Sequence, residues 1–534
     1  MKYEKLTADL SMYEAAKANI ADRPVRVAVS YYGKKYTFGK IFRLIDVLAE
    51  NLAARFSLGK GDAVTLCMPN CPQALLAFYA ANKLGAIVNL VHPYIPPEKL
   101  AESVKRTKSK ILFVYDLYKG DASFFGLPVL TAKCDAFMGA TAKLYYRATN
   151  RRTMKGGEPF EKYLKNRKAP PRAAARFSEN EPAVYLASGG TTGEPKIIAH
   201  NNFVFNNLCA KAQEFLSEPL ENYTSLYNVL PIFHGFGLCI NMHMCMLMRA
   251  TNIMCIKFDA KRSAKQIVRE KANILTGVPT MFLKLLGEKS FTGADLSHLK
   301  DVYAGGDSVP DSLVKDFNAA LEKGGSRAKM YVGYGLTETV TVCFVNTARH
   351  NCPSSIGYPL SNTSVKIMKD GNELPCGEVG EIYIDTDQFM LGYLAEDYSP
   401  FVEIDGKKWL KTGDYGWVNE EGFLFFKQRI KNMIKVSGVP VYPSEIEEAV
   451  LSVAGVKKAC AVGTNDPVRG QVVKLFVEPD EGENRQTLEA QIRRVCREKL
   501  IAYAVPREIV FKDRLPVNLI GKIDRKKLEE SREG

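Results

Sequence analysis

The sequence predicts an α/β fold, and three observations carry that prediction. Short apolar runs alternate with amphipathic stretches through the first third, the spacing of a doubly wound, mostly parallel sheet. After about residue 357 the texture turns to aromatic and β-branched runs broken by Gly and Asp, which reads as antiparallel hairpins. From Lys431 onward strand and helix patterns return, so the last part of the chain reads as a small α/β domain.

Taken in order, Val25–Tyr31, Ala63–Met68, Ala86–Leu90 and Ile111–Tyr115 read as strands. Ile41, Ile45, Leu48 and Leu52 share one face of a helix that Thr37 can cap, and Pro72 suits the first turn of a helix through Leu84. "GEVGEIYID", "KKWLKTGDYGWV" and "GFLFFKQRI" read as the hairpin strands. Beyond them come a helix over Pro443–Val453, strands over Lys458–Val462 and Val472–Val477, and a helix over Thr487–Leu500. A boundary is expected near Gln428–Asn432, dividing 1–430 from 431–534.

A chain of 534 residues exceeds one compact core, and 46% hydrophobic with 25% charged residues is a soluble, globular balance. "MKYEKLTADL" carries charges and no apolar core, so no secretory signal is expected. The long uncharged run Tyr223–Met248 contains Asn228, Pro231, His234, Asn241 and His243, which lipid would leave unpaired; it reads as core or pocket wall. Twelve scattered cysteines without a C-x-x-C pair point to reduced, buried thiols and a cytoplasmic setting. No histidine pairs with Cys or carboxylate at metal-ligand spacing, so no structural metal is expected. The net charge of +14 concentrates between Lys143 and Arg176, where eleven Lys and Arg face only Glu158 and Glu161. That is a solvated face or a docking patch for something acidic: a membrane surface, a carrier protein or nucleotide phosphates. No nucleic-acid module accompanies it, and nucleic acid is excluded as a partner.

"SGGTTGEPK" (188–196) is the candidate anion site. Gly189, Gly190 and Gly193 let backbone N–H groups turn inward, Ser188, Thr191 and Thr192 add hydroxyls, and Lys196 adds a point charge. The P-loop pattern is broken, because Glu194 and Pro195 stand where a Gly-Lys pair would open a helix. "VYLAS" and "KIIA" around the loop are β-like, so it joins two strands, with the next helix capped at Asn201 or Asn202.

Four further stretches accompany the loop: "GYGLTET" (333–339), "TGD" (412–414) at a strand end, "RIKNMIKVSG" (429–438) and "LPVNLIGKID" (515–524). In this order and spacing, over nearly the whole chain, they resemble the adenylate-forming superfamily of acyl-CoA synthetases, nonribosomal-peptide adenylation domains and luciferases. The resemblance implies a large N-terminal domain of doubly wound sheets with a small β-barrel-like subdomain, then a mobile C-terminal domain. It implies ATP, Mg²⁺ and coenzyme A as cofactors. The loop would hold the β- and γ-phosphates. Tyr334, between Gly333 and Gly335, would stack on adenine, with Gly305, Gly306 and Asp307 across the ring. Thr337 would meet the α-phosphate, Glu338 with Thr192 the metal, and Asp414 with Arg429 the ribose. Lys522 would be the catalytic lysine, Lys431 the hinge, Lys435 and Gly438 the lining of a thiol tunnel, and His234 the gate between acyl pocket and tunnel. A satisfied core histidine is the alternative for His234.

No acidic residue occurs from 222 to 258, so an amino-acid ammonium would find no partner in the stretch expected to line the acyl pocket. Met242, Met244, Met246 and Met248 suit an apolar acid, or simply a core helix. A fatty acid of medium or long chain is the first expectation and an aryl acid the second. Pro440, beside the tunnel, and Ala504, where the family often has Lys, depart from the pattern and favour the alternative acceptor, a carrier protein's phosphopantetheine thiol rather than free CoA.

Overall fold

The computed structural model describes residues 10–20, 23–165, 170–188, 196–396, 398–517 and 523–530. The described residues divide into two compact units, one holding those up to 363 together with 386–399, the other 364–385 and those from 400.

In the first unit the helix Phe38–Phe56 starts where the sequence places it. The Thr37 hydroxyl accepts from the Lys40 N–H at 3.3 Å, and Ile41, Ile45, Leu48 and Leu52 are buried on one face. Pro72 opens the helix Pro72–Lys83, where its missing N–H costs nothing. The helices accompany two sheets. In the eight-stranded sheet, Val184–Ala187, Ile87–Leu90, Ala63–Cys67, Ser109–Tyr115, Val129–Ala132 and Glu158–Pro159 run parallel. Ile197–His200 and Gly392–Tyr393 extend it antiparallel at one edge. The nine-stranded sheet is parallel from Met330–Gly335 through Asp301–Ala304, Ile274–Gly277, Ser225–Asn228 and Thr251–Met254 to Val27–Tyr31, with antiparallel strands at both edges. The expected strands are all present, and sheets of parallel strands buried on both faces explain why they read as unbroken apolar runs.

The uncharged run is core. Met242, Met244 and Met246 are fully buried, and Phe236–Met244 winds as a π-helix, a rare form that gathers at functional sites. Several of its polar members are paired: Asn70 donates to Asn228, Asn228 to Asn252, and Thr276 to Asn241. His243 accepts at Nδ1 from the Tyr79 hydroxyl (2.9 Å) and donates from Nε2 to Asn206 (2.8 Å), so it is neutral and fully used. All twelve cysteines are free and ten are buried, in line with their reading as small hydrophobes. Among the described residues no helix is long and apolar enough to cross a membrane.

The second unit carries the hairpins and the small α/β element. Thr363–Lys369, Gly380–Thr386, Lys407–Val418, Phe401–Ile404 and Leu424–Arg429 belong to a six-stranded sheet whose recorded pairings are antiparallel. Asp414 is not at a strand end. It lies inside Lys407–Val418, where Gly413 takes φ +69° and the ladder to Leu424–Arg429 slips between Tyr415 and Gly416. The local break, rather than an end, produces the Gly-Asp signature. The last strand of this sheet ends at Arg429, and the five-stranded sheet begins at Ile434. There Ile434–Val436 and the outermost strand Val439–Val441 form a hairpin turning on Ser437 and Gly438, both at positive φ. Val436 pairs with Val439 next to the two-residue turn, so Lys435 and Pro440 form the following, non-hydrogen-bonded pair. Pro440 therefore withholds no bond from this ladder, and Ala504 is buried in the core of the unit.

Burial pushes the His243 pKa down to about 3. An unfolded histidine titrates near 6.5, so between these values the unfolded chain binds the extra proton, and His243 favours folding fully only above about 6.5. The acid limb of stability should fall as pH drops below 6.5, His243 contributing up to about 1.4 kcal/mol per pH unit. His243→Gln should flatten that limb in urea titrations from pH 7 to 5, and an unchanged slope would contradict this assignment.

Candidate active site

The site residues of the first unit begin at the hairpin Val184–Ala187 and Ile197–His200, in register from Val184–His200 to Ala187–Ile197. Its neck is closed by Ser188 and Lys196, with Ser188 N–H donating to Lys196 O (2.8 Å) and Lys196 N–H to Ser188 Oγ (3.0 Å). The loop thus joins two antiparallel strands, and Asn201 caps the helix Asn202–Ala210, as the sequence implies. Gly189, Gly190, Thr191, Thr192 and Gly193 lie outside the described residues. So does Lys522.

Lys196 is held by groups far along the chain. Its Nζ lies 4.5 Å from the Tyr393 ring centroid, 4.1 Å from that of Tyr398 and 3.4 Å from Glu396 Oε2. Tyr393 also donates its hydroxyl to Glu338 Oε1 at 3.0 Å. Its phenol pKa is raised, first by burial and then by the Glu338 carboxylate, so it stays protonated and able to donate. One tyrosine therefore joins the lysine of the anion loop to the acid of "GYGLTET".

Glu338 sits in the 3₁₀ turn Thr337–Thr339, which the Thr339 hydroxyl secures by accepting from Leu336 N–H. The turn leaves through Val340 at φ +67°, closed by a Thr341 N–H to Thr339 O bond of 2.8 Å. A β-branched residue rarely adopts that conformation, and the surroundings must impose it. They do so by backbone contact. A Cβ on Gly235 would lie 1.6 Å from Val340 O, and one on Gly335 would lie 1.4 Å from Thr341 O. Gly235 belongs to "PIFHGFG", so the His234 segment is pressed against the Glu338 turn. His234 is partly exposed, its ring beside Phe233, which in turn faces His92 at 4.7 Å. The core histidine of this region is His243.

Tyr334 lies on Met330–Gly335 opposite Phe344, their rings 6.3 Å apart. Gly305, just past the strand Asp301–Ala304, meets Gly333 on the neighbouring strand, a Cβ on Gly305 falling 2.9 Å from Gly333 O. Gly306 is at φ +79°, and exposed Asp307 caps the N–H of Ser308. The first unit thus unites Lys196, Glu338 and Thr337, the His234 segment joins them through Gly235, and Gly305 meets Gly333.

In the second unit Asp414 and Arg429 pair across the ladder, with Nε 3.5 Å from Oδ1. Asp414 is buried, and Thr412, which accepts its N–H, donates to Ile382 O. Lys431, on the 3₁₀ turn Ile430–Asn432, is exposed; so are Lys435, on Ile434–Val436, and Gly438, at φ +79°.

Sequence reasoning did not find Tyr393, Tyr398 or Glu396. "LGYLAEDYS" offers no periodicity, and its pairing with Ile198 and Ala199 is long-range. His200 was missed as well. It is fully buried, edge-on to Phe205, with its pKa pushed down to about 4 by burial against the opposing Thr337 backbone. Gly235→Ala should displace the Glu338 turn and lower activity by about 10²-fold. Gly59→Ala, where nothing lies within 4 Å of the added carbon, should leave it unchanged. Equal activities in steady-state assays would refute the packing argument.

Two family profiles match this chain: "AMP-binding enzyme" over residues 16–394 and "AMP-binding enzyme C-terminal domain" over 445–522. Curated relatives include the long-chain-fatty-acid–CoA ligases of Haemophilus influenzae, 30% identical over 99% of this chain and 95% of the relative, and of Bacillus subtilis, 30% identical over 95% and 92%. Among solved structures, the anthranilate CoA ligase AuaEII in complex with anthranoyl-AMP superposes with a TM-score of 0.84 at 22% identity, covering 99% of this chain and 98% of that one. The ATP-bound MatB from Rhodopseudomonas palustris also gives 0.84 at 22%, over 98% and 99%. These two show the α/β fold. By the profile that spans most of its length, with the Lys196–Tyr393–Glu338 constellation inside the matched segment, this chain belongs to the AMP-binding enzyme family.

Proposed function

We propose that the chain is an acid–thiol ligase that activates a carboxylic acid with ATP, forming an acyl-AMP and pyrophosphate, and then passes the acyl group to coenzyme A. The observation that carries this reading is the Tyr393 junction: a cation suited to phosphate oxygens and a carboxylate suited to their metal, set around one ring. Full-length relatives named as CoA ligases support it.

A carboxylate attacking an α-phosphate brings two anions together, so the protein must cancel charge and fix an in-line approach. Lys196 with the 188–193 loop would neutralise the leaving pyrophosphate, and Thr337 would orient the α-phosphate. Tyr334 with Gly305, Gly306 and Asp307 would hold the adenine, and Asp414 with Arg429 the ribose. Among the described residues no cluster of three His, Cys, Asp or Glu could hold a metal by itself. A lone Glu338, engaged by Tyr393 through one oxygen, fits Mg²⁺ arriving on the nucleotide, which takes one or two carboxylates plus phosphate oxygens. When bound, that ion would draw charge from the departing phosphates.

The acid we favour is a long-chain fatty acid. The acid-free run 222–258 and the buried methionines suit an apolar chain, and the curated relatives named here act on long-chain fatty acids. His234 would gate its carboxylate. Free CoA is the favoured acceptor, reached past Lys435 and Gly438 after the domain from 431 turns on Lys431. The free cysteines suit a cytoplasmic setting. For the basic segment an anionic lipid surface is favoured over a carrier protein. The helix Ala140–Thr149 buries none of its residues and turns Leu144 outward at 72% exposure, near Lys143 and Arg147. Co-sedimentation with anionic vesicles, lost at high salt, tests that partner; no binding at low salt would reject it.

Acid-dependent pyrophosphate release, screened with and without CoA, should show turnover on long-chain fatty acids only when CoA is present. Release without any acid dependence would reject the reading. Lys522→Ala should cost at least about 10²-fold in acyl-AMP formation. Lys431→Pro should spare acyl-AMP formation and abolish thioester formation, whereas equal loss of both steps would reject the hinge.

A further inference from the structure

Lys196 and Glu338 carry opposite charges on the two sides of one residue. In direct contact they would pair, and each would be spent on the other instead of on phosphate oxygens and a cation. Tyr393 stands between them. Its hydroxyl satisfies the Glu338 carboxylate, and its ring face, stacked at 6.1 Å and 19° with Tyr398, takes the Lys196 ammonium. Its backbone is pinned from both sides. Leu391 N–H donates to Ala199 O and Leu394 N–H to Ile197 O, while Met390 N–H donates to Glu338 O, each at 2.8 Å. The main chain that carries the ring is thereby fixed to the anion-loop strand and to the Glu338 turn.

We propose that Tyr393 is a positioning residue that separates the Lys196 ammonium from the Glu338 carboxylate, keeping both available to the incoming nucleotide. Tyr398 and Glu396 complete the holding place. Glu396, partly exposed and 3.4 Å from the ammonium, tethers it loosely enough for a polyphosphate to displace. The inference rests on the function proposed above, in which Lys196 serves phosphate.

The test is equilibrium binding of ATP in EDTA, with no metal and no turnover. Tyr393→Leu should let the two charges pair and weaken ATP by about fivefold, the upper end of what a partly exposed ion pair is worth. Adding Glu338→Gln to that variant should restore ATP binding, because no carboxylate then competes for the lysine. Tyr393→Phe keeps the ring and should stay within about twofold of the wild type. ATP binding unaffected by Tyr393→Leu would overturn the proposal, as would a loss that persists in the double variant. Lys196→Ala separates the two levels: if it leaves ATP binding intact, the assignment of Lys196 to phosphate falls, and if it weakens ATP while Tyr393→Leu does not, only the spacer role falls.

Discussion

Backbone packed directly on backbone is the constraint on which this structure depends. The Glu338 turn is forced into a positive-φ exit at Val340, and what forces it is the absence of any room for a side chain at Gly235 and Gly335. Gly305 meets Gly333 in the same manner. Side chains can hop between rotamers, whereas main chain in such contact cannot shift without moving its neighbours. The polar groups of the site are therefore placed by the sheets themselves. The strain at Val340 is the cost of presenting a carboxylate from a turn whose position three separate segments determine.

Electrostatics then sets what those groups do. Lys196 is not stored in an ion pair deep in the core. It rests on two aromatic faces and one partly exposed acid, contacts strong enough to orient it and weak enough to be exchanged. The fixed histidines contrast with it. His243 and His200 are held neutral by burial, so they belong to the packing of the π-wound segment and of the anion-loop strand.

Much of this was legible in the sequence, for reasons local to the chain. Thr37, Asn201 and Pro72 mark helix starts because capping depends on a residue and its next three neighbours. Parallel strands betray themselves as short apolar runs, and the Gly-rich loop by its glycines and hydroxyls. What escaped reading was long-range or conformational. Asp414 was misplaced to a strand end because a break inside a strand carries the same Gly-Asp letters as its terminus. Tyr393 was invisible because its partners lie in segments that only the fold brings together. The π winding of Phe236–Met244 has no separate compositional signal, since i→i+5 and i→i+4 bonding use the same apolar residues.

The proline of the Val439–Val441 hairpin has a consequence beyond its own pairing. In a non-hydrogen-bonded pair the main-chain N–H groups point away from the partner strand, and at position 440 that outward site is a ring nitrogen without hydrogen. The rim of the five-stranded sheet is thereby blunted where an unfamiliar strand would need a donor to dock. An open flank in a crowded cell invites edge-to-edge aggregation, and here a single residue withholds the main-chain donor from that growth.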